Sequence, residues 1–188
     1  MEHPRDREVE LLAAFGLALG AVFGLAGTLV ADDFVRQVLW AVDGVGIIVA
    51  TALLAVRFGR IGDDAVSAGF LVFALGETLL VGGTAAGLER SVPSFGGGVA
   101  LWAAALLLIG LRPVFALWVR IAGFIAAALF IIVAARIFSG TPLLPTASPL
   151  PFFGYPFLVL TFVGWIQGIV SGRARARGGA LSAPISAP

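Results

Sequence analysis

Two carboxylates, one guanidinium and one amide stand inside otherwise apolar stretches of this 188-residue chain: Asp43, Glu77, Arg120 and Gln167. Glu77 is the extreme case. It sits in FALGETLLVGG, Phe73 to Gly83, near the middle of a long apolar run. A charged side chain at the centre of a membrane helix costs about 2.5–3.5 kcal/mol on insertion scales, and such residues mark ion pathways, proton relays or buried pairs. Two carboxylates held together can take up and release protons or small cations. A neighbouring arginine would instead neutralise one of them and fix helix register.

Composition supplies the surroundings. The chain is 60% hydrophobic and 12% charged, with mean hydropathy +1.05. Soluble domains carry about 25% charged residues, so this is an integral membrane protein, with no length left over for a second, soluble domain. No cysteine is present, which excludes disulfides, thiolate metal sites and thiol nucleophiles. The single histidine, His3, lies at the very start, so no histidine-based triad, His/Cys metal centre or bis-histidine haem site can be assembled. No catalytic residue, metal or cofactor is therefore expected, and the protein is not expected to be an enzyme. A net charge of +1, with no basic stripe before the last residues, gives no nucleic-acid footprint. Lysine and asparagine are absent, a bias that suggests GC-rich codon usage and a bacterial source.

Six apolar segments must position the polar groups. Residues 1–10 read as a cytoplasmic N-terminal tail, and residues 11–171 as one transmembrane domain with spans at about 11–30, 34–56, 65–88, 94–111, 114–137 and 152–170. Each is about long enough to cross a 30 Å hydrocarbon core as a helix. The first run is too long for a cleaved signal peptide. Asp63 and Asp64 are placed to cap the third helix. The connection SGTPLLPTASPLPFFGYP, Ser139 to Pro156, carries five prolines and predicts extended, polyproline-like backbone. Its Phe152, Phe153 and Tyr155 suit the headgroup layer. Residues 172–188 read as a disordered tail in which RARAR (Arg173 to Arg177) anchors the topology beside anionic lipid.

Six spans put both ends on one side. Arg5, Arg7, Arg57, Arg60, Arg112, Arg173, Arg175 and Arg177 share that side, against Arg36, Arg90 and Arg136 on the other. The excess of positive charge predicts both termini in the cytoplasm and a cell inner (plasma) membrane. Trp40 and Trp102 then fall near the outer interface, Trp118 and Trp165 near the inner one.

In this threading Asp43 lies roughly 13 Å and Glu77 roughly 17 Å below the outer surface, and Arg120 roughly 10 Å from the inner surface. Three arrangements follow: an Asp43–Glu77 relay, a structural cluster in which Arg120 neutralises a carboxylate, or three groups that never meet. In the last, Arg120 snorkels to the headgroups and the carboxyls bond to backbone or Thr78. Two glycine faces suggest close helix packing: Gly16, Gly20 and Gly24 at four-residue spacing, and Gly69, Gly76 and Gly83 at seven. The partner of the first is open, another span or a second protomer. A weak echo between Leu39–Phe58 and Leu117–Phe138 allows a 3+3 inverted repeat.

The fold expected is thus an all-α polytopic membrane bundle of about six helices. Its expected function is that of a small transporter or channel-like protein with an intramembrane carboxylate site at Asp43 and Glu77, with Arg120 a third candidate. The alternative is a non-catalytic membrane subunit that scaffolds or stabilises a larger membrane complex. The partners implied are the lipid bilayer and a homo-oligomer or larger assembly, not nucleic acid. A cavity reaching the carboxylates would separate the two functions.

Overall fold

A computed structural model describes residues 4–172, with side chains from residue 7 onward. His3, the RARAR run and the tail expected at 173–188 lie outside the described residues. The described chain is all-helical. α1 (Pro4–Leu19), a π-helical turn (Gly20–Gly24) and α2 (Leu25–Leu29) run on as one rod. They are followed by α3 (Asp33–Arg60), α4 (Asp64–Thr84), α5 (Val92–Leu111), α6 (Leu117–Phe138) and α7 (Gly154–Val170). Five of these rods are long and apolar enough to cross a membrane, and α7 is a shorter apolar helix. The protein is a helical multi-pass membrane protein.

Side-chain capping explains several of the boundaries. Asp32 starts α3 by accepting from the Val35 amide at 2.8 Å, and Asp63 starts α4 by accepting from the Val66 amide at 3.3 Å. Arg36 closes the end of α2, donating to the Val30 and Ala31 carbonyls at 2.5 and 3.2 Å and pairing with Asp33. α4 stops at Thr84 rather than near residue 88, because Gly82 and Gly83 weaken its last turn and Gly87 takes a positive φ of 89° in the turn beyond.

Two expectations about the ends and the long loop need correction. Residues 4–10, expected as a tail, form the first turns of α1. Pro4 opens the helix, where its missing amide hydrogen costs nothing, and the Glu10 carboxylate is buried in an ion pair with Arg57 of α3 at 2.5 Å. The 139–153 connection is without turns only over residues 141–144. From Pro145 onward it coils through turns, with Ala147 N donating to Leu144 O, Phe152 N to Ala147 O and Phe153 N to Pro149 O.

Each helix packs on its neighbour in sequence, and the first rod packs on α7, so the bundle closes into a ring. Short connections alone impose that order, with or without an internal repeat. Small residues permit the approach. Gly16, Gly20 and Gly24 face α3, where added carbons would strike the Gly46 carbonyl, Ile47 and Asp43. The partner of that face therefore lies within the chain. Gly69, Gly76 and Gly83 face α5 in the same way, and a carbon on Gly76 would come within 2.9 Å of the Gly98 carbonyl oxygen.

The end of the bundle that holds the 61–63 and 112–116 connections is filled by aromatic rings. Phe70 meets Trp165 at 4.9 Å and Phe58 at 5.5 Å between ring centres, and Phe73 meets Trp102 at 5.4 Å and Phe162 at 5.7 Å. Trp102 and Trp165, expected near the membrane interfaces, belong to this interior stack and are buried. Edge-to-face and offset contacts, together with the large area each ring buries, explain the preference for the core.

Candidate functional site

The opposite half of the ring is not filled. The end of α4, the starts of α3, α5 and α7, and the rod from Gly20 to Thr28 surround a cavity of about 70 Å³. Asp43 and Glu77 both line it. The backbone geometry around it depends on small residues. At the π-helical turn the rod carries Gly20 and Gly24 directly against the cavity, and the Asp43 carboxylate occupies the space that a side chain on Gly24 would need. π-Helical turns of this kind recur at functional sites because they leave backbone groups without their usual helical partners. Here the Gly24 carbonyl accepts from Trp40 Nε1 at 3.3 Å.

The two carboxylates are buried, 8% and 3% exposed for Asp43 and Glu77, and a carbon added at Gly44, next to Asp43 in the chain, would lie 3.3 Å from Glu77 Oε1. Asp43 Oδ1 and Glu77 Oε2 accept no hydrogen bond. The Trp102 indole approaches Glu77, yet its N–H does not reach hydrogen-bond geometry. Thr78, the expected partner on the same helix, donates instead to Ala74 O at 2.8 Å. An unsatisfied buried acceptor costs about 1–3 kcal/mol, more if charged, so the site keeps acceptors that the protein itself does not satisfy.

Arg120 does not join them. Its Nε donates to the Gly110 carbonyl at 2.6 Å, and its side chain lines a separate, smaller gap with Leu106, Val119 and Trp165 at the 112–116 end. It closes the α5–α6 hairpin by satisfying a carbonyl near the end of α5 and forms no ion pair among the described residues. Gln167 is exposed near the end of α7, away from the cavity. Beside Arg36–Asp33, the described residues form the ion pairs Glu10–Arg57 and Asp63–Arg112, both at the end opposite the cavity.

No family model, curated protein sequence or solved structure matches this chain.

Other residues shape the site. Tyr155, expected among the headgroups, is 9% exposed, lines the cavity and donates its hydroxyl to Pro145 O at 2.7 Å, tying the coiled 139–153 connection over that end. Trp40 and Thr84 line the cavity and also a second gap of about 70 Å³ that holds Asp33, Arg36 and Gln37. Trp40 thus stands between a polar vestibule and the carboxylates. Phe95, Trp102 and Phe162 complete an aromatic wall. Their clustering was not readable from the sequence, where each aromatic is simply one of many on an apolar helix. No group of three or more potential metal ligands occurs among the described residues.

Proposed function

We propose that this protein is a small, non-enzymatic membrane transporter or channel-like protein whose intramembrane site is the Asp43–Glu77 pair. The observation that carries the reading is a cavity that reaches two buried carboxylates, each with one buried oxygen left without a hydrogen-bond partner. A protein that merely scaffolds a complex gains nothing from such a void, whereas a solute path requires it. The charge distribution supports placement in a bacterial plasma membrane with both termini cytoplasmic and the cavity facing outward. Arg120 acts as a hairpin clasp rather than as part of the solute site.

Reconstitution into proteoliposomes tests the proposal. Charge movement on imposing gradients of small cations should be saturable and should be lost in Glu77→Gln and Asp43→Asn. Wild-type liposomes no more permeable than empty ones, across the whole cation panel, would favour the scaffold.

A further inference from the structure

We infer that the cavity binds a small primary or secondary alkylammonium ion, a cation of about three heavy atoms carrying at least two N–H donors. The inference rests on the transporter reading and names its substrate class. Three features of the cavity converge on it. The charge is one-sided: the wall carries two carboxyl groups, Asp43 and Glu77, and no arginine, which excludes anions. Two buried acceptors on the wall, Asp43 Oδ1 and Glu77 Oε2, lack donors, beside a single unpartnered donor, the Trp102 indole N–H. Two separate acceptors call for a ligand with two donors, which an alkylammonium supplies and a quaternary ammonium does not.

The remaining wall is aromatic and aliphatic. Trp40, Phe95, Trp102, Tyr155 and Phe162 surround the carboxylates. Aromatic faces attract organic cations, and desolvation strengthens the effect. A bare alkali ion gains nothing from the apolar side chains that make up most of this wall, such as Leu80, Val81, Leu158 and Val159, whereas an alkyl group packs against them. Size sets the upper limit. A dry cavity of about 150 Å³ holds benzene, and about 70 Å³ leaves room for roughly half as many heavy atoms. Dimethylammonium and ethylammonium fit that limit.

The test is a binding titration on the full-length protein in detergent, read by the fluorescence of Trp40 and Trp102, with dimethylammonium chloride, tetramethylammonium chloride and sodium chloride as probes. Dimethylammonium should give a saturable change, and tetramethylammonium and sodium should bind about ten- to a hundred-fold more weakly, the range expected when hydrogen bonds to a charged group are lost. This ranking is read on the wild type, so it stands even if a variant does not fold. Glu77→Gln and Asp43→Asn should weaken dimethylammonium by a similar factor, and Gln167→Ala should not. No saturable change with dimethylammonium, or equal binding of tetramethylammonium, overturns the inference. Flux of another cation through wild-type liposomes without dimethylammonium binding also overturns it, and leaves the transporter reading standing. Binding that follows the ranking in a protein that carries no flux supports the ligand class and removes the transporter reading instead.

Discussion

Gly24 lies directly against the carboxylate of Asp43: a carbon added at Gly24 would come within 2.8 Å of Asp43 Oδ2. The position of one of the two acidic groups is therefore set by the absence of a side chain on another helix. Gly24→Ala should push Asp43 from its place and weaken dimethylammonium binding by about ten-fold, the loss of one hydrogen bond to a charged group. Stability should change little, because alanine's better helix propensity, about 0.8–1 kcal/mol, offsets the crowding. Gly82→Ala, with open space at the added carbon, should leave binding unchanged. Paired fluorescence titrations and thermal unfolding in detergent check both.

Trp40 separates the vestibule from the cavity. Because the chain has no cysteine, a single Leu80→Cys introduces the only thiol, on the cavity wall. A small water-soluble thiosulfonate should label it several-fold faster in a Trp40→Ala background, where the two spaces merge. An unchanged rate would mean that solutes enter elsewhere.

The two ion pairs at the opposite end should behave differently. Glu10 and Arg57 are both buried, so Arg57→Met takes the guanidinium away from a buried carboxylate and should cost about 3–5 kcal/mol. Combining it with Glu10→Gln should restore much of that loss. Arg112 is 37% exposed on its side chain, but its partner Asp63 is 1% exposed and keeps the Val66 amide as a donor, so Arg112→Ala should cost less, about 1–3 kcal/mol. Unfolding midpoints in detergent separate the cases.

Phe73 lies one helical turn from Glu77 and contacts Trp102, Phe162 and Trp165. Phe73→Ala should cost about 3–5 kcal/mol as a core cavity. It should also open the floor of the site toward the far side. Proteoliposomes carrying it should dissipate an imposed cation gradient faster than wild type, even when Glu77→Gln is added.

The six apolar segments, their order and the common level of Asp43 and Glu77 along the bundle were legible because each depends on local composition and a fixed rise per residue. The glycine faces were legible as faces, but their partners were not: spacing shows that Gly16, Gly20 and Gly24 align, and only the ring shows that they meet α3. Arg120 was misleading for a related reason. Depth placed it within reach of Glu77, but its azimuth on α6 turns it to Gly110. The moment of α6 cannot betray that orientation, since the helix is apolar on every side. Tyr155 was misplaced because an aromatic beside a proline-rich loop resembles an interfacial anchor until its hydroxyl is seen holding Pro145.

The closed ring also sets an order of events during synthesis. Apart from the contacts of α7 with the first rod and with the α4 rings Phe70 and Phe73, the main helix contacts join neighbours in sequence, and such local pairs form quickly as each span enters the bilayer. The wall contributed by Tyr155, Leu158, Val159 and Phe162 arrives last. Until α7 docks, Asp43 and Glu77 face lipid on one side, so a chain interrupted before its final helix presents two acidic groups to the membrane and offers quality-control proteases a direct signal of incompleteness.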